Sequence, residues 1–571
     1  MVAWKAEDML GLTPGVDPRR TDKFFALGGQ NYVFDSIGPK SIFGNRYLTP
    51  YPLGRPEHVQ GFRLKLRGGD RVYTFTADAI LEWREDLKNW RVVYVTPTTS
   101  PQPYRWTWGY LNQKVYFCHP TTGILIYDVQ TEVCLPLVGD GVPQAAIAIC
   151  VNNGRLCAID IDFFYFSESS DGQGWSPTLG GAGFFRISDR VSGLPIILTS
   201  YTKGVLVWTT GGVMQATFTA DEVVYRFRAI NTEYRPINSF CTCRVDDDTV
   251  IILDERGLFQ SRGELPTPFS PLFNEFLIKY IQVNQLSIGQ NIRLEWDELK
   301  RLLYVSVSLS IESPKYEMAF VLYPPMDKWG QFNEEHYGIL PFRVGTGSRA
   351  DSYYGFVDST ARCRIWRGIG SRETLPGANG LNSHAVATQK PTHVVANGTA
   401  TVLSSSARLN TIPSTGLTGV AGYYGWDGGT NVAPTITGLS AAIRLGLLRF
   451  EGDASDQLSE VTKITIGNVT VGDTATQMGV FDLTPLITGE QLGLQEQNYM
   501  NHGLRLIATI DGVSQFDSCI PELVDTQRGA RYYSCSVLGL WHMVELTATE
   551  VGEAFHLQSV DLTAVNGGKI Q

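Results

Sequence analysis

The stretch VYFCHPTTGILIYDV (115–129) decides how this chain is read. Two apolar runs flank Pro120-Thr121-Thr122-Gly123, a set of residues suited to a tight turn. Strand, turn, strand is the simplest reading, and the same pattern recurs. It appears as VYTFTADAILEW (72–83), LCAIDIDFFYFS (156–167), VLVWTTGGVMQATF (205–218) and VIILDERGLFQS (250–261). A longer copy starts as LYVSVSLS (303–310) and returns as MAFVLYPPMDKW (318–329), and YYGFVDSTARCRIW (353–366) follows. Successive copies start 41–53 residues apart. A hairpin-based period of that length is the signature of propeller blades. A lone hairpin is marginal in water, and a four-stranded blade is still apolar on both faces. Packing blades around an axis buries those faces. A stack of sandwiches would place strands every 8–12 residues or so without this longer period. The expected fold class is all-β, a six- or seven-bladed β-propeller. The count stays open because the first or last hairpin can belong to a shared closing blade.

Outside the hairpins, PLFNEFLIKYIQ (271–282) is the best helix candidate, with apolar Leu272, Phe273, Phe276, Leu277 and Ile281. It reads as a short inter-blade helix. From 371 to about 440 Gly, Ser, Thr, Ala and Asn dominate, which reads as a linker or surface excursion. Alternation then returns: Ile443, Leu445 and Leu447 share one face, as do Ile464 and Ile466. A C-terminal β-sandwich or jelly-roll-like domain is expected there. The expected organisation is an N-terminal arm and first strand over 1–60, the propeller over 61–370, the Gly/Ser/Thr-rich segment over 371–440 and the β-sandwich domain over 441–571.

The composition agrees with a large buried core. Of 571 residues, 43% are hydrophobic and only 18% charged, and 58 are glycine. The formal net charge of −10 disfavours tight gripping of nucleic acid by phosphate neutralisation. The opening MVAWKAEDMLG carries charges and no apolar core, so it does not read as a secretory signal. The longest apolar run falls far short of a spanning helix, and no membrane insertion is expected. The nine cysteines are Cys118, Cys134, Cys150, Cys157, Cys241, Cys243, Cys363, Cys519 and Cys535. They are irregularly spaced, include no C-x-x-C and read as buried reduced thiols.

Chemistry-bearing patterns are sparse. There is no H-E-x-x-H, G-x-S-x-G, P-loop or dinucleotide fingerprint. The histidines His58, His119, His336, His384, His393, His502, His542 and His556 are scattered, with no ligand spacing. Asp246-Asp247-Asp248 offers hard oxygens, but the EF-hand spacing and distal Glu are missing, and a solvated hairpin turn is the simpler reading. Asp160 and Asp162 are expected on one strand face, an exposed rim; a glycoside-cleaving pair needs a separation that sequence spacing does not give. SSDGQGW (169–175) resembles the Asp-box turn of sialidase-like propellers, one residue short and in a single copy. It reads as an outer hairpin turn whose Trp175 packs between blades. The Gly-rich stretches 139–142 and 171–183 read as blade turns, with lumen or gate loops as the alternative. No catalytic, cofactor-binding or metal residue is assigned, no cofactor is expected, and an enzyme is not expected.

Three segments together resemble the tail nozzle (tail tubular protein B-like) proteins of short-tailed bacteriophages. They are GLTPGVDPRRTDKFFALGGQNYVFDSIGPKSIFGNR (11–46), GGAGFFRISDRVSGLPIILTSYTKGVLVWTTGGVMQATF (180–218) and AAIRLGLLRFEGDASDQLSEVTKITIG (441–467). The resemblance implies a structural virion protein of the tail, made in the host cytoplasm. As a homohexamer below the head-to-tail adaptor (connector) ring it would extend the DNA-ejection channel. It would support tail fibres or distal tail proteins and pass genomic DNA through its lumen without sequence-specific binding. The N-terminal arm is a candidate for reaching a neighbour, with Tyr32, Val33 and Phe34 as an ordinary closing strand in the alternative. The competing reading is a glycan-binding or glycan-cleaving (sialidase-like) tail propeller, for which exposed Tyr423, Tyr424 and Trp426 would be candidates.

Overall fold

The structure is a computed structural model. It describes residues 29–42, 59–66, 70–77, 79–84, 89–96, 104–179, 181–219, 223–231, 233–284, 292–298, 300–308 and 315–340, apart from a few side chains. It also describes the backbones of strands at 2–5, 9–12, 24–28 and 45–53, and after residue 340 those of further strands with a few of their side chains.

Six consecutive four-stranded antiparallel units form blades from one continuous stretch of chain each. They cover 60–95, 107–136, 148–186, 195–231, 242–268 and 292–332, and are called blades 1 to 6 in that order. A closing sheet follows, in which His336–Leu340, Tyr354–Asp358 and Arg362–Trp366 take Asn45–Pro52 as their outer strand. The first strand of the closing sheet lies beside the first strand of blade 1, Gln60–Leu64, so the ring closes. The protein is a β-propeller fastened by its own N-terminal region.

Every repeated hairpin of the sequence falls on the second and third strands of a sheet. In blade 2 these are Lys114–His119 and Gly123–Asp128; in blade 4, Gly204–Thr209 and Gly212–Phe218. The reason is burial. In Gly204–Thr209 all six residues are buried, and so are all five in Val250–Asp254. Such strands touch neighbouring blades with both faces, and each fully buried Val, Leu or Ile contributes about 1.5–3 kcal/mol. Between blades 3 and 4, Cys157, Val207, Trp208 and Tyr225 share one apolar cluster. Phe62, Tyr73, Val115 and Phe117 do the same between blades 1 and 2.

The helix α1 spans Pro271–Asn284, between blades 5 and 6. Phe273, Phe276, Leu277 and Ile281 are buried against Trp329 and Phe320, as the periodicity predicts. Leu272 departs from that prediction: it is exposed, and its N–H donates to Asp327 Oδ2 at 3.1 Å at the helix start.

The N-terminal strands pair within their own chain. Tyr32–Phe34 adds to the outer edge of blade 6 through Gln331, and Pro39–Ser41 adds beyond it. Phe24–Gln30 pairs with Ala441–Leu448, and Val2–Lys5 with Leu557–Lys569. The C-terminal strands thus form one five-stranded and one seven-stranded sheet, each including N-terminal strands. Within the stretch read as a linker, Gly422–Gly425 pairs with the outer strand of blade 1, Asn89–Val95.

Candidate functional site

The inner strands of the blades all begin at one end of the propeller axis, and charged side chains gather there. Arg105 lies just before the inner strand of blade 2, Thr107–Leu111. Its backbone N–H donates to Ser239 Oγ at 3.0 Å, and its guanidinium donates to the Thr242 carbonyl. Ser239 and Thr242 belong to the start of blade 5, so Arg105 reaches across the axis. Among the described residues it has no carboxylate in ion-pair contact.

Opposite it, the inner strand of blade 6, Ile292–Asp297, alternates in the way a strand must. Ile292 and Leu294 face the apolar cluster shared with blade 5. Arg293 and Glu295 take the other face, and both are buried. Arg293 Nε donates to Glu295 Oε1 at 2.6 Å, and Nη2 lies in ion-pair contact with the same carboxylate. The guanidinium also stacks over the Phe240 ring, 5.1 Å from its centroid. A buried ion pair of this kind is costly unless its remaining polar atoms are satisfied.

His336 opens the inner strand of the closing sheet and is fully buried. Its Nε2 is 3.0 Å from Ser306 Oγ and its Nδ1 2.9 Å from the Glu334 carbonyl. Burial pushes its pKa down to about 4, so the ring is neutral at physiological pH. Burial also lowers the Arg105 guanidinium; Glu295 opposes that shift and Arg293 adds to it. The cluster holds two cations, one anion and a neutral imidazole. Nothing in the sequence pattern points to it, since its members are spread over three sheets.

The sequence-derived candidates fall elsewhere and do not converge. Asp160 and Asp162 are not on a strand face. They lie in the turn between Arg155–Ile159 and Phe163–Phe166, where Asp160 Oδ1 accepts N–H bonds from Asp162 and Phe163 at 2.8 and 2.7 Å. Tyr165 donates its hydroxyl to the other oxygen at 2.8 Å. Asp160 therefore builds a turn, as Asp commonly does. Asp246 does the same: its Oδ1 accepts from the N–H groups of Asp248 and Thr249 at 2.8 and 2.6 Å, and these backbone bonds help hold its carboxyl below the usual range. Asp247 pairs with Arg244. Among the described residues no group of three His, Cys, Asp or Glu side chains is arranged to hold a metal.

The Asp-box-like segment is an outer hairpin turn of blade 3. Trp175 is buried between blades 2 and 3 beside Tyr116 and Leu156, and its Nε1 donates to the Gly172 carbonyl at 2.9 Å. The stretch 139–142 packs on it: Gly141, at φ +76°, abuts the Trp175 carbonyl, and Val142 joins the same apolar cluster. Cys118, Cys134, Cys150, Cys157, Cys241 and Cys243 are free, buried thiols. Tyr423 and Tyr424 lie on a described strand, but their side chains, and all of Trp426, fall outside the described residues. So do the side chains of His58, His384, His393, His502, His542 and His556. Among the described residues no helix is long and apolar enough to cross a membrane.

No protein-family model matches this chain, and no curated protein matches it. Solved structures similar to it include YCF48 bound to D1 peptide, at 10% identity and a TM-score of 0.33, covering 64% of this chain and 100% of that one. The extracellular domain of a one-component system from B. thetaiotaomicron covers 59% of this chain and 41% of its own, at 11% identity and a TM-score of 0.35. The WD40 repeats of RRP9 cover 57% and 99%, at 8% identity and a TM-score of 0.34. The propeller assignment rests on the strand pairings described above, and these likenesses carry no residue-level correspondence.

Proposed function

We propose that this chain is a structural virion protein, a subunit of a tail nozzle ring that extends the DNA-ejection channel of a short-tailed bacteriophage. One observation carries the reading. The N-terminal and late segments that resemble nozzle proteins (11–46 and 441–467) are far apart in sequence yet pair in one sheet, with Phe25 opposite Gly446 and Gln30 opposite Ala442. The third segment (180–218) supplies the outer strand of blade 3 and the first three strands of blade 4. The resemblance therefore tracks scaffold.

The axial cluster fits this role. Arg105 bridges the axis of the propeller, so the reading places the DNA path on the common axis of a ring of copies. An acidic protein lining that path would repel phosphate and let DNA slide. Of the carboxylates the sequence singles out, Asp160 and Asp246 are engaged in turns.

The test is a cryo-EM reconstruction of the tail of the source virion. A six-fold ring of this chain below the connector is the expected result. Absence from that ring, or fibre-like trimers, overturns the reading. Glycan-array binding or reducing-end release by the purified protein would then favour the glycan-directed alternative.

A further inference from the structure

We propose that Cys150 and Cys157 of blade 3 form a peroxide-oxidisable dithiol, a modification site at which a cross-strand disulfide is made and then undone by thiol reductants. The two residues lie directly opposite one another, Cys150 on the inner strand Ala148–Asn152 and Cys157 on the second strand Arg155–Ile159. Asn153 and Gly154, left-handed at φ +47° and +71°, join the strands in a two-residue turn that fixes this register. Leu156 turns both backbone groups away from the inner strand: its N–H donates to Ser167 Oγ at 2.9 Å and its carbonyl accepts the Ser167 N–H at 2.8 Å. Hydrogen-bonded and non-bonded pairs alternate along an antiparallel ladder, so the next residue, Cys157, exchanges its hydrogen bonds with Cys150. The Cα atoms of such a pair stand about 5.5 Å apart. Disulfides span roughly 4.4–6.8 Å between Cα atoms, so the backbone is already at bridging distance.

The side chains agree with the backbone. Both thiols face blade 4, in one apolar cluster with Val205, Val207 and Tyr225. Cys157 Sγ is 3.4 Å from the Tyr225 hydroxyl. The Cys150 thiol is in hydrogen-bond contact with Cys157; that contact and burial hold it well above the usual thiol range, so Cys150 rests protonated. Cys118, Cys134 and Cys243 have no such neighbour: Thr107 and Ile124, Tyr127 and Ile251 stand opposite them. Both members of the pair are buried, so they react through local opening of the hairpin, and a water-sized oxidant needs the least of it. With a peroxide the step balances. One thiolate attacks a peroxide oxygen, the O–O bond breaks, and a sulfenic acid forms as hydroxide leaves. The second thiolate attacks the sulfenic sulfur, the S–S bond forms, the S–O bond breaks and a second hydroxide leaves. The hydroxides take up the two thiol protons as water, and the two electrons lost by the sulfurs reduce the peroxide. The bridge would tie the inner strand to the second strand beside Asn152, whose Nδ2 donates to the Tyr201 and Gly204 carbonyls of blade 4 at 3.0 and 2.9 Å. The hairpin that docks blade 3 onto blade 4 would then carry a covalent lock.

The experiment uses hydrogen peroxide as the probe on the folded full chain. After exposure, the remaining thiols are alkylated in denaturant and a tryptic digest, cut at Arg155 between the two cysteines, is mapped without reductant. The expected result is joint loss of label at Cys150 and Cys157, a linked peptide lighter by two hydrogens, and return of both labels after dithiothreitol. Cys118 and Cys134 should keep their labels throughout. Cys150→Ser should abolish the link and leave Cys157 joined to no other cysteine. Full labelling of both residues after peroxide overturns the proposal, as does a link from either to a different cysteine. A link that arises only as the thermal unfolding transition is lost also overturns it, since the bridge then belongs to the unfolded chain. Should Cys150→Ser fail to fold, the map of the unaltered protein decides the matter alone.

Discussion

Asn31 and Asn333, 302 residues apart, clasp each other reciprocally. The Asn333 N–H donates to Asn31 Oδ1 at 2.9 Å, and the Asn31 N–H donates to Asn333 Oδ1 at 3.4 Å. Asn31 sits at φ +53°, a left-handed conformation that Asn tolerates better than most residues. Its carbonyl also accepts the Ile42 N–H at 2.8 Å. The clasp fixes the N-terminal region onto the end of blade 6. Asn31→Ala removes one side of the clasp and adds backbone strain, and should cost about 1–3 kcal/mol. The checks are a lowered Tm and faster proteolysis of residues 32–53; an unchanged Tm would show the clasp to be incidental.

Trp175 predicts how blades 2 and 3 hold together. It is buried in an apolar cluster, and truncation to Ala should cost about 3–5 kcal/mol. Gly172→Ala tests the same contact from the other side, since its Cβ would come 2.5 Å from Tyr116 Cζ in a well-packed ring environment. Asp171, which caps the exposed turn, should be replaceable by Ala with a much smaller loss. Denaturant unfolding of the three variants separates packing from turn chemistry. Equal losses for all three would contradict this account.

The two buried histidines set a pH dependence. Burial lowers both His119 and His336 to about 4, against about 6.5 in an unfolded chain. Between those values the unfolded state binds more protons than the folded state, so stability falls as pH falls. The contribution is whole above about pH 6.5, is lost progressively toward pH 4 and is level below that. Thermal melts from pH 7.5 to 4 should show this fall, and His336→Gln should remove about half of it. A flat profile across that window would place the imidazoles in solvent.

Burial also predicts thiol behaviour. Cys118 and Cys134 are pushed well up by loss of hydration, and Cys241 and Cys243 up to about 12. The thiolate is the reactive form, so these four should resist alkylation at pH 8 in the native protein and react once it is unfolded. Mass-spectrometric counting of labels per cysteine reads this directly. Fast native labelling of Cys118 would mean that blade 2 opens.

How far the sequence reaches is visible in these same residues. The second strands of blades 1 to 6 were legible because both of their faces are buried, which leaves runs such as Val250-Ile251-Ile252-Leu253. Inner and outer strands were not, because they mix burial with polar duty: Arg293-Leu294-Glu295 serves the axis on one face and the core on the other. Asp160 looked like a strand residue because apolar neighbours flank it, yet its carboxylate bonds to N–H groups two and three residues on. The reach of Arg105 to Thr242 spans 137 residues, and no local pattern encodes it. The closing role of Asn45–Pro52 was equally hidden, since a lone strand far from its partners has no hairpin to announce it.

That closing strand yields the last prediction. Among the described residues of 1–23, Val2–Lys5 pairs with Leu557–Lys569 and Met9–Leu12 with Phe24–Gln30, so neither strand joins a blade's ladder, although Met9–Leu12 lies against Lys328–Phe332 of blade 6. Deletion of residues 1–23 removes no strand from a blade's ladder and should leave the propeller with a cooperative unfolding transition, lowered only by the lost packing on blade 6. Deletion of residues 1–53 removes the outer strand of the closing sheet and both strands added to blade 6. It should abolish cooperative folding, because a ring with an unpaired closing sheet exposes apolar faces and strand edges. Adding back a peptide of residues 24–53 in trans should restore the transition, as the missing strands pair along their edges and need no covalent link. If the shorter deletion also destroys the transition, the C-terminal sheets and the propeller fold as one cooperative unit. If the longer deletion folds normally, the ring closes without Asn45–Pro52, and the fastening described above is wrong.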